Sequence, residues 1–210
     1  MKNLRKNAMI EVFFDVETKK LFHEVENRDV TKLGVSIVSV YQREIDLDFK
    51  EVSGHMRSYW EKDFGELWKV LHDADRIIGF NSISFDAATL QPYAPFALDK
   101  LAHFDILAQV RKVLGHRLSL NALASQTLGS VKSDVGTNAV VYFAKGDPES
   151  LEKLQKYCEL DVAITRDLYD YGVNNKHLKY LDKWNTLRTV DIDFSYPKEK
   201  TDSGKQTSLF

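Results

Sequence analysis

With one cysteine in 210 residues, Cys158, the chain has no thiol partner for an internal disulfide and too little sulfur for a cysteine-based metal site. On a helix Cys158 reads as a small apolar residue. The six histidines are scattered without ligand spacing and read as ordinary surface or core residues. No apolar run approaches the roughly 20 residues that a membrane-spanning helix needs, and the polar opening MKNLRKNA runs straight into a strand pattern; the expectation is a cytoplasmic protein with no membrane partner. Charge of one sign is not in excess either: 29 Lys plus Arg face 31 Asp plus Glu, a formal net charge of −2 with a pI near 6.3. That balance gives no global footprint for a polyanion, so a nucleic-acid partner has to be argued from a local site. No internal repeat is visible.

Proline is scarce as well, and the four present punctuate the chain. Pro92 and Pro95 close a helix, Pro148 opens one, and Pro197 begins a polar, charged stretch, PKEKTDSGKQ, that reads as disordered. Length and a 43% hydrophobic content fit one α/β-sized domain with a full core, expected over residues 1–196, with 197–210 as a flexible tail.

MIEVFFDVE (9–17) is dense in apolar and β-branched residues and predicts a central strand; VSIVSVY (35–41) predicts its neighbour, followed by two or three short β segments up to Trp60. Asp63 with Glu66 resembles a capping box for a helix carrying Leu67, Val70, Leu71 and Ala74 and ending near Asp75. RIIGF (76–80) predicts a buried strand, SFDAATLQ a helix, and HFD (103–105) another strand end. Asp105 and Ser119 can cap two short helices with Gly115 and Gly129 beyond their ends. Residues 130–146 show no clear period. Asp147 caps a helix running to Gly172, and the chain turns irregular after Trp184. Strands near the start followed by alternating helices and strands imply an α/β fold, a mixed central sheet flanked by helices.

At 100° per residue the 149–172 helix gathers Leu154, Tyr157, Cys158, Ile164 and Leu168 on one arc, and Asp161 falls inside it. A buried, unpaired carboxylate costs several kcal/mol, so Asp161 needs a salt bridge, a hydrogen-bond network, a cation or a wet cleft beside it. Asp15 and Glu17 stand two residues apart, on one side of the most apolar strand. Two buried like charges raise each other's pKa unless a multivalent cation compensates, and all-oxygen ligation suits Mg²⁺ or Mn²⁺; a bare D-x-E can equally be surface decoration. Asp86 follows a buried strand and a turn, where it can serve a site or simply cap the next helix.

In order and setting, Asp15-Val-Glu17, Asn81-Ser-Ile-Ser-Phe85-Asp86 and Tyr157-Cys-Glu-Leu-Asp161 resemble the motifs of the ribonuclease H-like 3′-to-5′ exonucleases of the DEDD superfamily. Tyr157 matches the DEDDy branch; the sister branch would carry a histidine where this chain has Lys156. The likeness extends over roughly residues 9–185, and HFDILAQVRKVLGHRLSLNALASQTLG looks like the same region of stand-alone YprB-like predicted exonucleases and, more distantly, of family B polymerase proofreading domains. The resemblance implies a ribonuclease H-like fold and hydrolysis of phosphodiester bonds in DNA, with RNA as the alternative substrate, in DNA repair or replication, with two divalent ions, Mg²⁺ or Mn²⁺, about 4 Å apart. It implies that Asp15 bridges both metals, Glu17 and Asp161 complete the water-activating site, Asp86 holds the second metal, and Tyr157 orients the attacking water.

Substrate grip, on single-stranded DNA or 3′ ends, is expected from Asn81 and from stacking by Phe85, Tyr93 or Phe96, with Arg111, Lys112, Arg117 and Lys132 meeting phosphates. Each of these side chains also fits core packing, a satisfied turn or a solvated face. The final residues QTSLF resemble the peptide by which repair and replication proteins hook a DNA sliding clamp, with Gln206, Ser208, Leu209 and Phe210 as its anchors. Two other readings share the fold: a non-catalytic nucleic-acid-binding or clamp-recruited adaptor, and a ribonuclease H-type endonuclease. Intact Asp15, Glu17, Asp86, Tyr157 and Asp161 argue against the first, and the tyrosine–aspartate helix is not called for by the second.

Overall fold

The computed structural model describes residues 8–129 and 137–196. Its centre is strand β1 (Met9–Thr18), whose alternation sorts its residues between two cores. Ile10, Val12, Phe14 and Val16 pack with Leu67, Leu71 and Leu90. Phe13, on the other face, packs with Val162, Leu168 and Tyr169. Glu11, Asp15 and Glu17 share that second face by the same period of two.

β1 pairs antiparallel with β2 (Val35–Ile45), which pairs antiparallel with β3 (Glu51–Trp60). On its other side lie β4 (Arg76–Gly79) and β5 (His103–Asp105), both parallel to β1's direction, giving the order β3-β2-β1-β4-β5. A parallel neighbour requires a crossover; α1 (Phe64–His72) supplies it between β3 and β4, and α2 (Asp86–Leu90) with short 3₁₀ turns between β4 and β5. Then follow α3 (Ile106–Leu114), α4 (Leu120–Thr127), α5 (Thr137–Lys145), the 28-residue α6 (Pro148–Asn175) and a hairpin of β6 (His177–Leu181) and β7 (Leu187–Asp191). This is the expected mixed sheet flanked by helices. No helix among the described residues is long and apolar enough to cross a membrane.

Several expected helix signals operate as read. Asp105, Ser119 and Asp147 accept from the backbone amides of Ala108, Ala122 and Ser150, and Gly115 takes a left-handed φ of 76° after α3. Others do not. The capping box at Asp63 does not form: the Asp63 carboxylate accepts from the Trp60 amide, and Glu66 turns to Arg57. The segment up to Trp60 is one long hairpin and not several short strands; β3 is largely exposed, so its sequence lacks the apolar alternation that would announce it. Helix α5 lies where the sequence shows no clear period, and β7, the second strand of the hairpin, lies in the stretch after Trp184 that reads as irregular. α6 continues past Gly172 to Asn175, because that glycine answers to Phe194 and not to a helix end: a Cβ there would lie 2.0 Å from Phe194 Cζ. The 197–210 segment, with the peptide containing Gln206, Ser208, Leu209 and Phe210, lies outside the described residues, as does Lys132.

Candidate active site

Asp15 and Glu17 project from β1 toward α6, and α6 sends Asp161 to meet them; one carboxylate oxygen of each lies within 4.8 Å of the others. The strand's period of two and the helix's apolar arc are the local causes. Asp161 is buried and the other two half-buried. The register of β1 against β2 shifts at Glu17/Thr18, an irregularity of the kind that re-aims side chains beside sites. Three carboxylates this close repel one another, and an all-oxygen anionic set is the donor chemistry of a hard divalent cation, so these residues fit Mg²⁺ or Mn²⁺.

Asp86 is placed differently from its three expected partners. The N-cap of α2 is Phe85 and not Asp86, whose Oδ1 accepts from the amide of Val16 at 2.9 Å, the residue between Asp15 and Glu17. It is 3% exposed, and burial, followed by the charge of Asp15, pushes its carboxyl well above the ordinary aspartate range. The second motif is thus fastened to the first by this bond, with Asp86 against the acid cluster and outside its tightest triad.

Tyr157, one turn before Asp161, is buried among Ile37, Leu154 and Cys158. The Cys158 thiol contacts the Asp15 carbonyl at 3.5 Å and Asp15 Oδ2 at 3.7 Å. Burial, then Asp15 and Glu17, push the thiol well above its usual range, so it is a packed, unreactive group as its sequence setting implied.

Two clefts share Asp15 and Asp161. One of about 420 Å³ is walled by Phe80, Asn81, Arg117 and Ser119, the other, of about 310 Å³, by Glu17, Lys20, Phe22, Phe85 and Val140. Asn81 holds φ 67°, and its side-chain oxygen accepts from Ser84. The Phe85 ring stands 5.9 Å from that of Phe22. Of the remaining expected contacts, Arg117 reaches the first cleft, whereas Arg111 and Lys112 are exposed on α3. Tyr93 and Phe96 are structural: the Tyr93 hydroxyl accepts from the Val35 amide and its ring meets Phe64, while Phe96 packs on Trp68 and His72.

Lys20, Phe22 and Val140 carried no motif and were not legible as cleft residues. Asp105 does more than cap. It is buried; besides Ala108 it accepts from Asn81 (2.9 Å) and Ile83 (3.1 Å), fixing the loop that leads to Asp86. Those partners lie 22 and 24 residues earlier, beyond any local pattern. A further cleft, of about 610 Å³, lies elsewhere, around Glu11, Arg43 and Tyr196. There buried charges are matched, Arg43 donating to both Glu11 and Asp170.

No curated protein sequence matches the chain. Two solved structures of Escherichia coli exonuclease I are similar to it. A zinc-bound complex with single-stranded DNA is 12% identical, covering 80% of this chain at a TM-score of 0.45. A complex with a dA16 oligonucleotide is 13% identical, covering 79% at 0.44. In both cases the match spans 41% of the exonuclease I chain. The family model of the RNase_H superfamily matches residues 12–173, which takes in β1 from Val12, the other strands of the five-stranded sheet, and α6 through Val173; the chain belongs to the RNase H superfamily.

Proposed function

We propose that the chain is a divalent-metal-dependent nuclease, a 3′-to-5′ exonuclease of the DEDDy type acting on DNA ends. Its domain, residues 1–196, would carry the chemistry, and the 206–210 peptide would dock a sliding clamp. The observation that carries the reading is the meeting of Asp15, Glu17 and Asp161 within 4.8 Å at the junction of two clefts in an RNase H superfamily chain. Asp15, Glu17 and Asp161 would hold the ion or ions, with Asp86 beside them. A bound divalent cation supplies charge relief at the phosphate and a water of lowered pKa. The chain's own residues do the rest. Asp86 ties the second motif to β1, Asp105 sets the loop bearing Asn81, and Tyr157, rigidly packed, would orient a water one helical turn from Asp161. Arg117 in the first cleft offers a phosphate contact, and Phe85 in the second an aromatic surface for a base.

The test pairs activity with metal binding. In Mg²⁺ or Mn²⁺ the purified protein shortens 5′-labelled single strands progressively and releases labelled mononucleotide from a 3′ label, while Asp15→Ala and Asp161→Ala lose on the order of 10³-fold in rate. Metal at about 100 times its dissociation constant stabilises the wild type by about 2.7 kcal/mol, and neither variant shows that shift in thermal unfolding. A chain lacking 206–210 keeps the activity on short oligonucleotides and loses clamp binding. Internal cuts, or activity surviving in either variant, overturn the exonuclease assignment.

A further inference from the structure

One segment that reaches the acid cluster is free of acidic residues, although the chain as a whole has no positive charge to spare. Residues 106–129, spanning α3 and α4, contain no aspartate or glutamate and carry Arg111, Lys112 and Arg117, in a chain with 31 acidic residues. All three side chains are exposed, and Arg117 stands in the wall of the cleft that contains Asp15 and Asp161. α4 begins on that wall at Ser119 and Leu120 and runs about 12 Å to Thr127. Thr127 Oγ1 accepts from the Lys179 amide at 2.9 Å and donates to the Lys179 carbonyl at 3.1 Å, so the far end of α4 is riveted to β6. The β6–β7 hairpin is therefore a fixed extension of the cleft wall.

Its tip presents an indole to water. Trp184 is 71% exposed, with the Lys183 ammonium 4.3 Å from its ring centroid. The turn that carries it is firmly built: the Asp182 carboxylate accepts from the amides of Trp184 and Thr186, the Asp182 amide donates to the Thr186 carbonyl, and Arg188 pairs with Asp182 at 3.0 Å. Asp182 is thereby committed to the turn and to Arg188, while the Lys179 ammonium lies 5.7 Å from the Tyr171 ring centroid, at the base of the hairpin. A rigid, solvent-facing aromatic with the Lys183 ammonium against it, continuous with an acid-free helix pair, is the combination that binds single-stranded nucleic acid: stacking on a base with phosphates on the cations.

Resting on the nuclease reading, we infer that α3, α4 and the β6–β7 hairpin form the track for the single strand upstream of the bond to be cut, with Trp184 stacking on a base beyond the cleft. The charge complementarity of the track selects nucleic acid over an apolar protein partner, despite Leu181 and Leu187 beside the tip. Only a strand long enough to pass from the cleft to the hairpin engages Trp184.

Binding is measured without divalent cation, so that no strand is cut, by fluorescence anisotropy on a long labelled oligothymidylate and on a labelled trinucleotide. Trp184→Ala is expected to weaken the long oligomer about 10-fold, equivalent to about 1.4 kcal/mol, and to leave the trinucleotide unchanged. Lys183→Glu reduces the salt dependence of long-oligomer binding. Unfolding midpoints stay at the wild-type value, since both side chains lie outside the core. Unchanged long-oligomer affinity in both variants, or equal loss on the trinucleotide, overturns the track. A wild type that binds the long oligomer through Trp184 but cuts nothing in Mg²⁺ or Mn²⁺ upholds the track and sinks the nuclease reading instead.

Discussion

Asp86 is a carboxyl with one oxygen fixed on the Val16 amide, almost no solvent, and Asp15 close by. Its folded pKa lies above its unfolded value, so the native state keeps the proton while the unfolded chain gives it up. Its favourable effect on stability is therefore full below the ordinary aspartate pKa, falls as pH rises through the window up to the raised value, and stays lost above it. Without divalent cation at neutral pH, Asp86→Asn, which retains an acceptor for Val16, is expected to stabilise the fold by about 0.5–2 kcal/mol. For a chain of this size each kcal/mol is about 2–4 °C in the unfolding midpoint, and the variant's pH profile should be flatter. A midpoint at or below wild type across the neutral range would remove the electrostatic account. At this scale the sequence is legible where a period of two or 3.6 settles direction, as for Asp15, Glu17 and Asp161. It is ambiguous where one residue type serves two ends. Asp86 and Asp105 each sit where a helix begins; Asp105 does cap, while Asp86 reaches across 70 residues to Val16, and no local pattern separates the two.

Among the elements, α6 shows how a glycine misleads. Gly172 sits within the helix and makes room for Phe194, whose ring is stacked on Phe104 at 5.3 Å and set edge-on to Tyr169 at 5.7 Å. A ring held from two sides cannot retreat from an added methyl. Gly172→Ala gains about 1 kcal/mol in helix propensity and is nevertheless expected to destabilise by about 1–3 kcal/mol in urea unfolding, since overpacking a rigid contact costs more. In a Phe194→Leu background the same change should cost less, and that coupling marks the clash as the cause. Additive effects would place the cost elsewhere. The same logic explains which elements escaped notice. β3 is an exposed edge strand with a mostly polar sequence, and the β6–β7 hairpin buries Leu178 and Val190 and little else, so neither writes a strong apolar alternation. The heavily buried β1 and α6, and the well-capped α3 and α4, do.

Across the molecule, one face of β1 carries three acids toward α6, Glu11, Asp15 and Glu17, and the fold treats the two ends of that face in opposite ways. At the Glu11 end the charge is cancelled internally: Glu11, 1% exposed, receives Arg43 at 2.6 Å and the hydroxyls of Tyr169 and Tyr196, and Arg43 also bonds Asp170. At the other end Asp161 adds a third carboxylate to Asp15 and Glu17, and negative charge accumulates. The two ends, four residues apart on the strand, are separated by roughly 13 Å. Arg43 thus belongs to stability and not to the acid cluster. Arg43→Met strands Glu11 as a buried charge and is expected to cost about 3–5 kcal/mol in urea unfolding. Adding Glu11→Gln, which still accepts from the tyrosine hydroxyls but carries no charge, should recover most of that loss. The divalent-metal shift proposed for the unfolding midpoint, whose candidate ligands sit at the other end, should persist in the double variant at wild-type size. A double variant that stays as unstable as Arg43→Met would trace most of the loss to packing of the guanidinium stem and not to the stranded charge. A folded double variant with a vanished metal shift would instead show that the two ends of the face are coupled through β1.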